Sequence, residues 1–423
     1  MSNDRPRICL VSQLHPAFNP RLVKEADALT EAGYEVVVVA GSFSRLGTEL
    51  DVPFEARAWT LANRVRFGPE TNFVDRIFKS VRTRISRKIF RRTRLNNKWL
   101  VYCAWHPITL SLIKRVKAIR ADLYIAHLPS ALPAAASGAK KWGGRLGYDA
   151  EDFYLGDPPE SDEYEDERAL VRDIEGQFIR ECDYITAASP GIAAAYGDVW
   201  GVRPTVILNV FPRSRAPLRA SETGDVHPRP SVYWFSQTIG ADRGLECAVR
   251  AIAASRSRPH LYLRGQIQSG FDQRLRGLAE KAGVADHVHF QKPAPPSEME
   301  RICARYDAGL AAETGNTPNH RIALANKIFS YMLAGIPAFL SDIPAHRQFA
   351  NGLAPALNLY KTECPASLAE QFDLLFRSGE SYLSQARGIA FDLGQDRFNW
   401  EIEKENYLDV VAKALESRLG DSQ

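Results

Sequence analysis

The sequence predicts an α/β protein in which a doubly wound, parallel sheet is built twice. Three observations carry that expectation. Short apolar runs alternate with helical segments along the chain, and the alternation starts afresh near residue 231. A stretch rich in Pro, Arg and Ser, PRSRAPLRASETGDVHPRP, separates the two halves and reads as a linker over 212–230. The length of 423 residues is more than one ordinary core accommodates.

In the first half, ICLVS, YEVVVVA, LYIAH, RLGYDA, YITAA and TVILN read as strands bounded by turns. In the second, SVYWFS, HLYLRG, VHFQK, AGLAA and PAFLS repeat the pattern. Parallel strands buried on both faces are expected to be continuously apolar, as these are. Two domains are expected, 1–211 and 231–397, each with its ligand crevice beyond the carboxyl ends of the strands. From Phe398 the chain reads as an amphipathic helix, FNWEIEKENYLDVVAKALESRL.

Composition sets the broad class. Hydrophobic content of 45% and charged content of 25% are those of a globular protein. No apolar run approaches the ~20 residues of a membrane span, and MSNDRPRICLVSQ has no apolar signal core. The six cysteines are scattered without a CxxC pair, which argues against a zinc site or disulfide framework and fits a reducing cytosol. A cytoplasmic location is the expectation.

The most informative stretch is Ala323 to Pro344, ALANKIFSYMLAGIPAFLSDIP. Ile328, Phe329, Met332 and Leu333 recur at helical spacing, Gly335 fits the helix end, and Pro337 cannot continue it. A helix starting near Ala325 puts Asn326 and Lys327 in its first turn. Free backbone amides and the helix dipole favour an anion there, and a lysine adds a full charge. A diphosphate suits this arrangement, and so does an ordinary structural αβ unit.

NKIFSYMLAGIPAFLSD resembles the donor-site helix of nucleotide-sugar-dependent glycosyltransferases of the GT-B fold. Four more segments resemble that family in its order: PRLVKEADALTEAGYEVVVVAG, the segment from Asp122 to Asp152, the segment from Cys182 to Pro212, and WFSQTIGADRGLECAVRAI. The resemblance implies two Rossmann-like domains facing a cleft, with the last helix, about 398–423, returning to the first domain. It also implies transfer of a sugar from a nucleotide diphosphate sugar to a glycan or lipid-linked acceptor. A UDP-sugar is expected ahead of a GDP-sugar as co-substrate, with no cofactor. Without an Asp-x-Asp motif, no metal is expected.

On the donor side, the departing diphosphate needs fixed positive groups. Arg243, in ADRG, matches the family's basic residue, and Lys327 is the second. Gly240 and Gly244 would admit phosphates close to the backbone, with Gln237 on the same loop. Arg264 and Gln291 stand at strand ends that in relatives contact the base. One departure matters. The family's Glu-x7-Glu pair is replaced by Ile322 and Ser330. Glu313 is expected to stand in for the lost carboxylates, with Asn319, His320 and Arg321 as sugar contacts. Ser330 would be a weaker partner for a ribose hydroxyl.

On the acceptor side, Asp149, Glu151 and Asp152 cluster after a strand, in YDAEDFYLGD. Neighbouring carboxylates raise one another's pKa and suit a general base for an acceptor hydroxyl, with Glu151 at a position where relatives often carry histidine. Capping the next helix, or pairing with Arg21 or Lys24, is the structural alternative. His127 matches a family histidine. Asn19, Pro20 and Arg21 replace a glycine-rich first loop and are expected to orient the acceptor or the leaving phosphate.

Charge adds a partner. The net charge is only +4, yet Arg76, Lys79, Arg82, Arg84, Arg87, Lys88, Arg91, Arg92, Arg94 and Lys98 run together without an acid. Val74, Ile77, Phe78, Val81, Ile85 and Ile89 recur through the same helix, and Trp99, Tyr102 and Trp105 come after it. The segment 76–98 is expected to meet the anionic inner face of a membrane, making the protein peripheral there. A solvated helix covering the first domain is the alternative. GDPPESDEYEDER is expected to be an exposed acidic loop. No nucleic-acid motif accompanies the basic run. Besides a glycosyltransferase, two other classes stay open: a GT-B-like sugar-nucleotide epimerase, and a non-catalytic nucleotide-sugar-binding or membrane scaffold protein.

Overall fold

A computed structural model describes residues 5–68, 71–95, 97–217 and 228–420. The central part of the expected linker, 218–227, lies outside the described residues. The chain forms two compact units, Met1–Ile207 with Lys404–Gln423, and Leu208–Glu403.

The first unit holds a seven-stranded sheet in the order β3-β2-β1-β4-β5-β6-β7. Its strands are β1 (Arg7–Ser12), β2 (Glu35–Ser42), β3 (Thr60–Arg66), β4 (Leu123–His127), β5 (Arg145–Ala150), β6 (Tyr184–Ala187) and β7 (Thr205–Val206). All pairings are parallel. The second unit holds a six-stranded sheet, β10-β9-β8-β11-β12-β13. Its strands are β8 (Ser231–Ile239), β9 (His260–Ile267), β10 (Val288–Gln291), β11 (Ala308–Ala311), β12 (Ala338–Ser341) and β13 (Leu357–Tyr360), again all parallel. Each sheet reverses its winding at one place, between β1 and β4 and between β8 and β11. Those switch points open the crevices where ligands of such sheets bind.

Two strands escaped the sequence reading, β3 and β13. Both are edge strands. TLANRVR is interrupted by polar residues and LNLY is only four residues long, so neither carries the continuous apolar run of a central strand.

Seven helices carry or flank the residues of the two crevices. They are α1 (Pro20–Glu31), α2 (Phe73–Thr93), α3 (Lys98–Trp105), α4 (Glu165–Phe178), α5 (Leu245–Ala254), α6 (Asn326–Leu333) and α7 (Trp400–Gly420). Helix α2 is set opposite to the usual sense. Its buried residues are Thr83, Ser86 and Phe90. Its apolar stripe faces out instead, with Val74 72% and Phe78 65% exposed and Phe73, Ile77, Val81, Ile85 and Ile89 beside them. The polar contacts of the inward side hold it: Arg87 donates to the carbonyls of Ala104 and Trp105, and Arg82 to that of Pro107. The acidic segment is exposed over most of its length, as expected, and is tied at Asp166 to the end of this helix, where Asp166 accepts from Arg91 at 2.6 Å and Arg94 at 2.7 Å.

Candidate functional site

The switch point of the second sheet gathers most of the expected donor residues. Beyond β8, the chain passes Gly240 and Asp242 to Gly244, which adopts a φ of +66°. A Cβ on Gly244 would stand 2.3 Å from the Ala312 carbonyl oxygen, so only glycine lets α5 start this close to the end of β11. Neither α5 nor α6 has a side-chain N-cap. Their first amides therefore remain open to an anion. Arg243, Gln237 and Asn326 are exposed here, and Gly240 is buried.

Lys327 lies within this crevice. Its Nζ is 2.6 Å from Glu313 Oε1 and 5.1 Å from the centre of the Trp234 ring. Burial works to raise the Glu313 carboxyl, yet Lys327 and His346 hold it below the usual carboxylate range. Its second oxygen, Oε2, is buried without a hydrogen-bond partner. Sequence reading had both residues but not their pairing, since they stand 14 positions apart on different elements.

Three other expected donor contacts are differently disposed. Ser330, expected near the ribose, is fully buried and donates to Glu300 at 2.8 Å, so its hydroxyl serves the core of this domain. Arg264 donates to Tyr233 Oη at 2.7 Å and to the Lys292 carbonyl, with Gln291 Oε1 at 3.4 Å. Arg321 and His320 sit on the short helix Pro318–Ile322, where Thr317 caps the His320 amide and Asn316 pairs with the His320 ring. Asn319 on that helix is buried.

In the first unit the expected acceptor residues form a buried charge cluster at the ends of β4 and β5. Arg21, 1% exposed, forks onto Asp149 with bonds of 2.6 and 2.9 Å and donates to the Ile207 carbonyl at 2.7 Å. Thr186 donates to Asp149 Oδ1 at 2.7 Å. His127 stands 3.3 Å from Glu25, 3.4 Å from Asp149 and 3.3 Å from Glu151. Asn19 caps α1 and donates to Glu151 at 2.8 Å.

These contacts sort the expected roles. Burial works to raise Asp149, but Arg21 and His127 carry it well below the usual carboxylate range. Burial also works against a charged His127, and Glu25, Asp149 and Glu151 overcome it, raising it well above its usual value. Glu25 is pushed up by burial and by the charge of Asp149. The expectation that Arg21 orients an acceptor and that Asp149 is a base meets two side chains enclosed in each other's bonds. The structural alternative, pairing with Arg21, is what Asp149 does. Glu151 alone in the cluster keeps appreciable side-chain exposure, at 20%. Asp152 comes next in the chain, half-buried, with its carbonyl accepting from Tyr196.

One ligand atom each of Glu25, His127 and Asp149 lies within 4.8 Å of the others, the spacing of a metal site. The Arg21 guanidinium already supplies positive charge to Asp149 and Glu25 there, which opposes a divalent ion.

Next to this cluster a cavity of about 740 Å³ opens at the β1/β4 switch point. Gln13 directly succeeds β1, and Leu128, Pro129 and Ser130 succeed β4. Leu128 has a φ of +72°, rare for a branched side chain. Arg87, Phe90 and Arg91 line it from α2, Trp105 and His106 from the end of α3. Tyr154, Asp157, Glu163, Asp166 and Glu167 complete the wall. Sequence reading missed this cavity because its lining is scattered over five chain segments. The juxtaposition of the basic run with the acidic stretch was the available signal.

No protein-family model matches the chain, and no curated protein matches it. Solved structures do resemble it throughout. HepE of Anabaena, in complex with UDP and glucose, is 14% identical with a TM-score of 0.69 and covers 96% of this chain and 100% of its own. Sucrose-phosphate synthase of Thermosynechococcus elongatus is 14% identical with a TM-score of 0.69, covering 98% of this chain and 100% of its own. The lipopolysaccharide outer core galactosyltransferase WaaB, in its apo form, is 11% identical with a TM-score of 0.59, covering 96% and 99%. The fold of this chain is thus the GT-B fold, two Rossmann-like domains built on parallel sheets of seven and six strands.

Proposed function

We propose that the protein is a glycosyltransferase that moves a sugar from a UDP-sugar to a glycan or lipid-linked acceptor, in the making of a surface polysaccharide or glycolipid. One observation carries the reading: two helix N-termini without side-chain caps, one of them carrying the buried Lys327, stand at the switch point of the second sheet. Such a place suits an anion, and a diphosphate fits the reading. The likeness to HepE with UDP and glucose bound supports UDP as the nucleotide.

In this reading, Lys327, Arg243 and the amides opening α5 and α6 hold the diphosphate and stabilise its charge as the sugar departs. Glu313 fixes Lys327, and its unpartnered Oε2 accepts from a sugar hydroxyl, in place of the missing Glu-x7-Glu pair. With two cations at the diphosphate, transfer is metal-independent. Glu151, the exposed member of the first domain's cluster, is the base for the acceptor hydroxyl. His127 and Asn19 position it. Incubation with a panel of UDP- and GDP-sugars, and then mass spectrometry, tests the assignment. Release of UDP with transfer or hydrolysis is expected in the presence of EDTA. The reading fails if no nucleotide sugar is turned over.

The protein is also proposed to be peripheral at the cytoplasmic face of the membrane. The outward apolar stripe of α2 and the basic groove lined by Arg84, Arg87, Lys88, Arg91 and Arg92 support this. No helix among the described residues is long and apolar enough to cross a membrane.

A further inference from the structure

We infer that the cavity of the first unit selects an uncharged, hydroxyl-rich glycosyl unit as acceptor and excludes phosphorylated sugars. That this unit is the acceptor rests on the glycosyltransferase reading. The ligand class rests on the cavity alone.

Its lining carries four carboxylates, Asp157, Glu163, Asp166 and Glu167, against two guanidiniums, Arg87 and Arg91. The arginines are not arranged to hold a phosphate. Arg87 donates to the Ala104 and Trp105 carbonyls, which close the end of α3, and Arg91 is bonded to Asp166. Burial, aided by Arg87, lowers His106 to about 4, so it brings no charge at neutral pH. An anion entering here meets four carboxylates and, within the lining, no unengaged cation fork.

A polyol meets suitable partners. Glu163 and Glu167 form no ion pair among the described residues and present strong acceptors to sugar hydroxyls. Ser130, only 1% exposed, has a hydroxyl without a hydrogen-bond partner, and so have the Tyr154 hydroxyl and Gln13 Oε1. The residues that bear these three atoms line the cavity, where their polar groups can turn to a ligand's hydroxyls. Leu128, held at a φ of +72°, lies two residues before Ser130 in that wall. Trp105 adds an aromatic surface, and Phe90, Leu170 and Val171 an apolar one, against which the C–H faces of a pyranose pack.

The full-length protein is tested by saturation-transfer NMR and calorimetry. The probes are methyl glycosides of glucose, galactose, mannose and N-acetylglucosamine, their β-linked disaccharides, and the 6-phosphates of glucose and mannose. At least one uncharged probe is expected to bind at least five-fold more tightly than either phosphate. Ser130→Ala should weaken it three-fold or more. The double variant Glu163→Gln with Glu167→Gln, at exposed positions that leave folding undisturbed, should narrow the preference over the phosphates at least three-fold. The inference is overturned if no uncharged probe binds, if a phosphate binds as tightly, or if both variants retain wild-type affinity and selectivity. UDP affinity, titrated separately, belongs to the second unit. Loss of UDP binding with glycoside binding intact would reject the transferase reading and support the glycan site.

Discussion

Arg21 and Asp149 illustrate what burial demands of a single residue. Each is enclosed, and each is tolerable because the other stands against it, with Glu25 beside Arg21 and His127 beside Asp149. Removing one partner of a buried ion pair leaves an uncompensated charge and costs ~3–5 kcal/mol. Arg21→Met should therefore lower unfolding free energy by about that amount, read by chemical denaturation, whatever it does to activity. Asp149 contributes in a definite pH window. Its folded pKa lies below the unfolded value, so its stabilisation is present above the unfolded pKa and is lost as pH falls through the folded one. Glu175 behaves in the opposite sense. It accepts from the Tyr148 and Tyr196 hydroxyls, and burial raises it to about 7. A raised carboxyl favours the fold below the unfolded pKa and loses that contribution as pH rises through the folded pKa. Glu175→Gln should thus gain stability relative to wild type between pH 5 and pH 8, on the order of 1–3 kcal/mol. Parallel denaturation curves at the two pH values check this, and an unchanged difference would refute it.

At the scale of an element, the informative case is α2. Its sequence shows an apolar stripe and a basic run, but periodicity cannot say which side faces the sheet. The structure buries Thr83, Ser86 and Phe90 and turns Val74, Ile77, Phe78, Val81 and Ile85 outward. Each Lys or Arg near an anionic surface contributes about 1 kcal/mol, and the stripe adds burial in the interface. The protein is expected to sediment with anionic vesicles at low salt, to release partly at high salt, and to ignore neutral ones. Reversing Arg84, Lys88 and Arg92 to Glu should abolish sedimentation. A wild type that stays in the supernatant at low salt would reduce α2 to a solvated face. Helix α5 offers a second test. Gly244→Ala forces a side chain into the left-handed region, at ~1–2 kcal/mol, and against the Ala312 carbonyl. Stability and UDP affinity should fall together, as seen by calorimetry.

For the whole molecule, the proposed reading assigns nucleotide binding to the second unit and acceptor recognition to the first. Lys327→Ala or Arg243→Ala should weaken UDP binding by the ~1.5–3 kcal/mol of a charged hydrogen bond. Hydrogen exchange adds the spatial statement. UDP is expected to protect the amides opening α5 and α6, in the second unit, while the amides of α2 and α3 in the first keep their rates. Protection confined to the first unit would contradict the donor assignment.

The sequence by itself determined the α/β class, the repetition of the sheet, the central strands and the helix that opens at Asn326. These come from local signals: apolar runs of strand length, helical periodicity, and Gly335 and Pro337 ending a helix. Asn326 and Lys327 were legible at the helix start for the same reason. Tertiary structure decided what depends on distant partners. Edge strands β3 and β13 form because a neighbour supplies half of their hydrogen bonds. Glu313 engages Lys327, Ser330 turns to Glu300, and Arg21 encloses Asp149 across 128 positions. The cavity of the first unit is the extreme case. A concave wall drawn from separate segments has no signature in any one of them, and only the folded sheet brings Gln13, Ser130 and Trp105 to one surface.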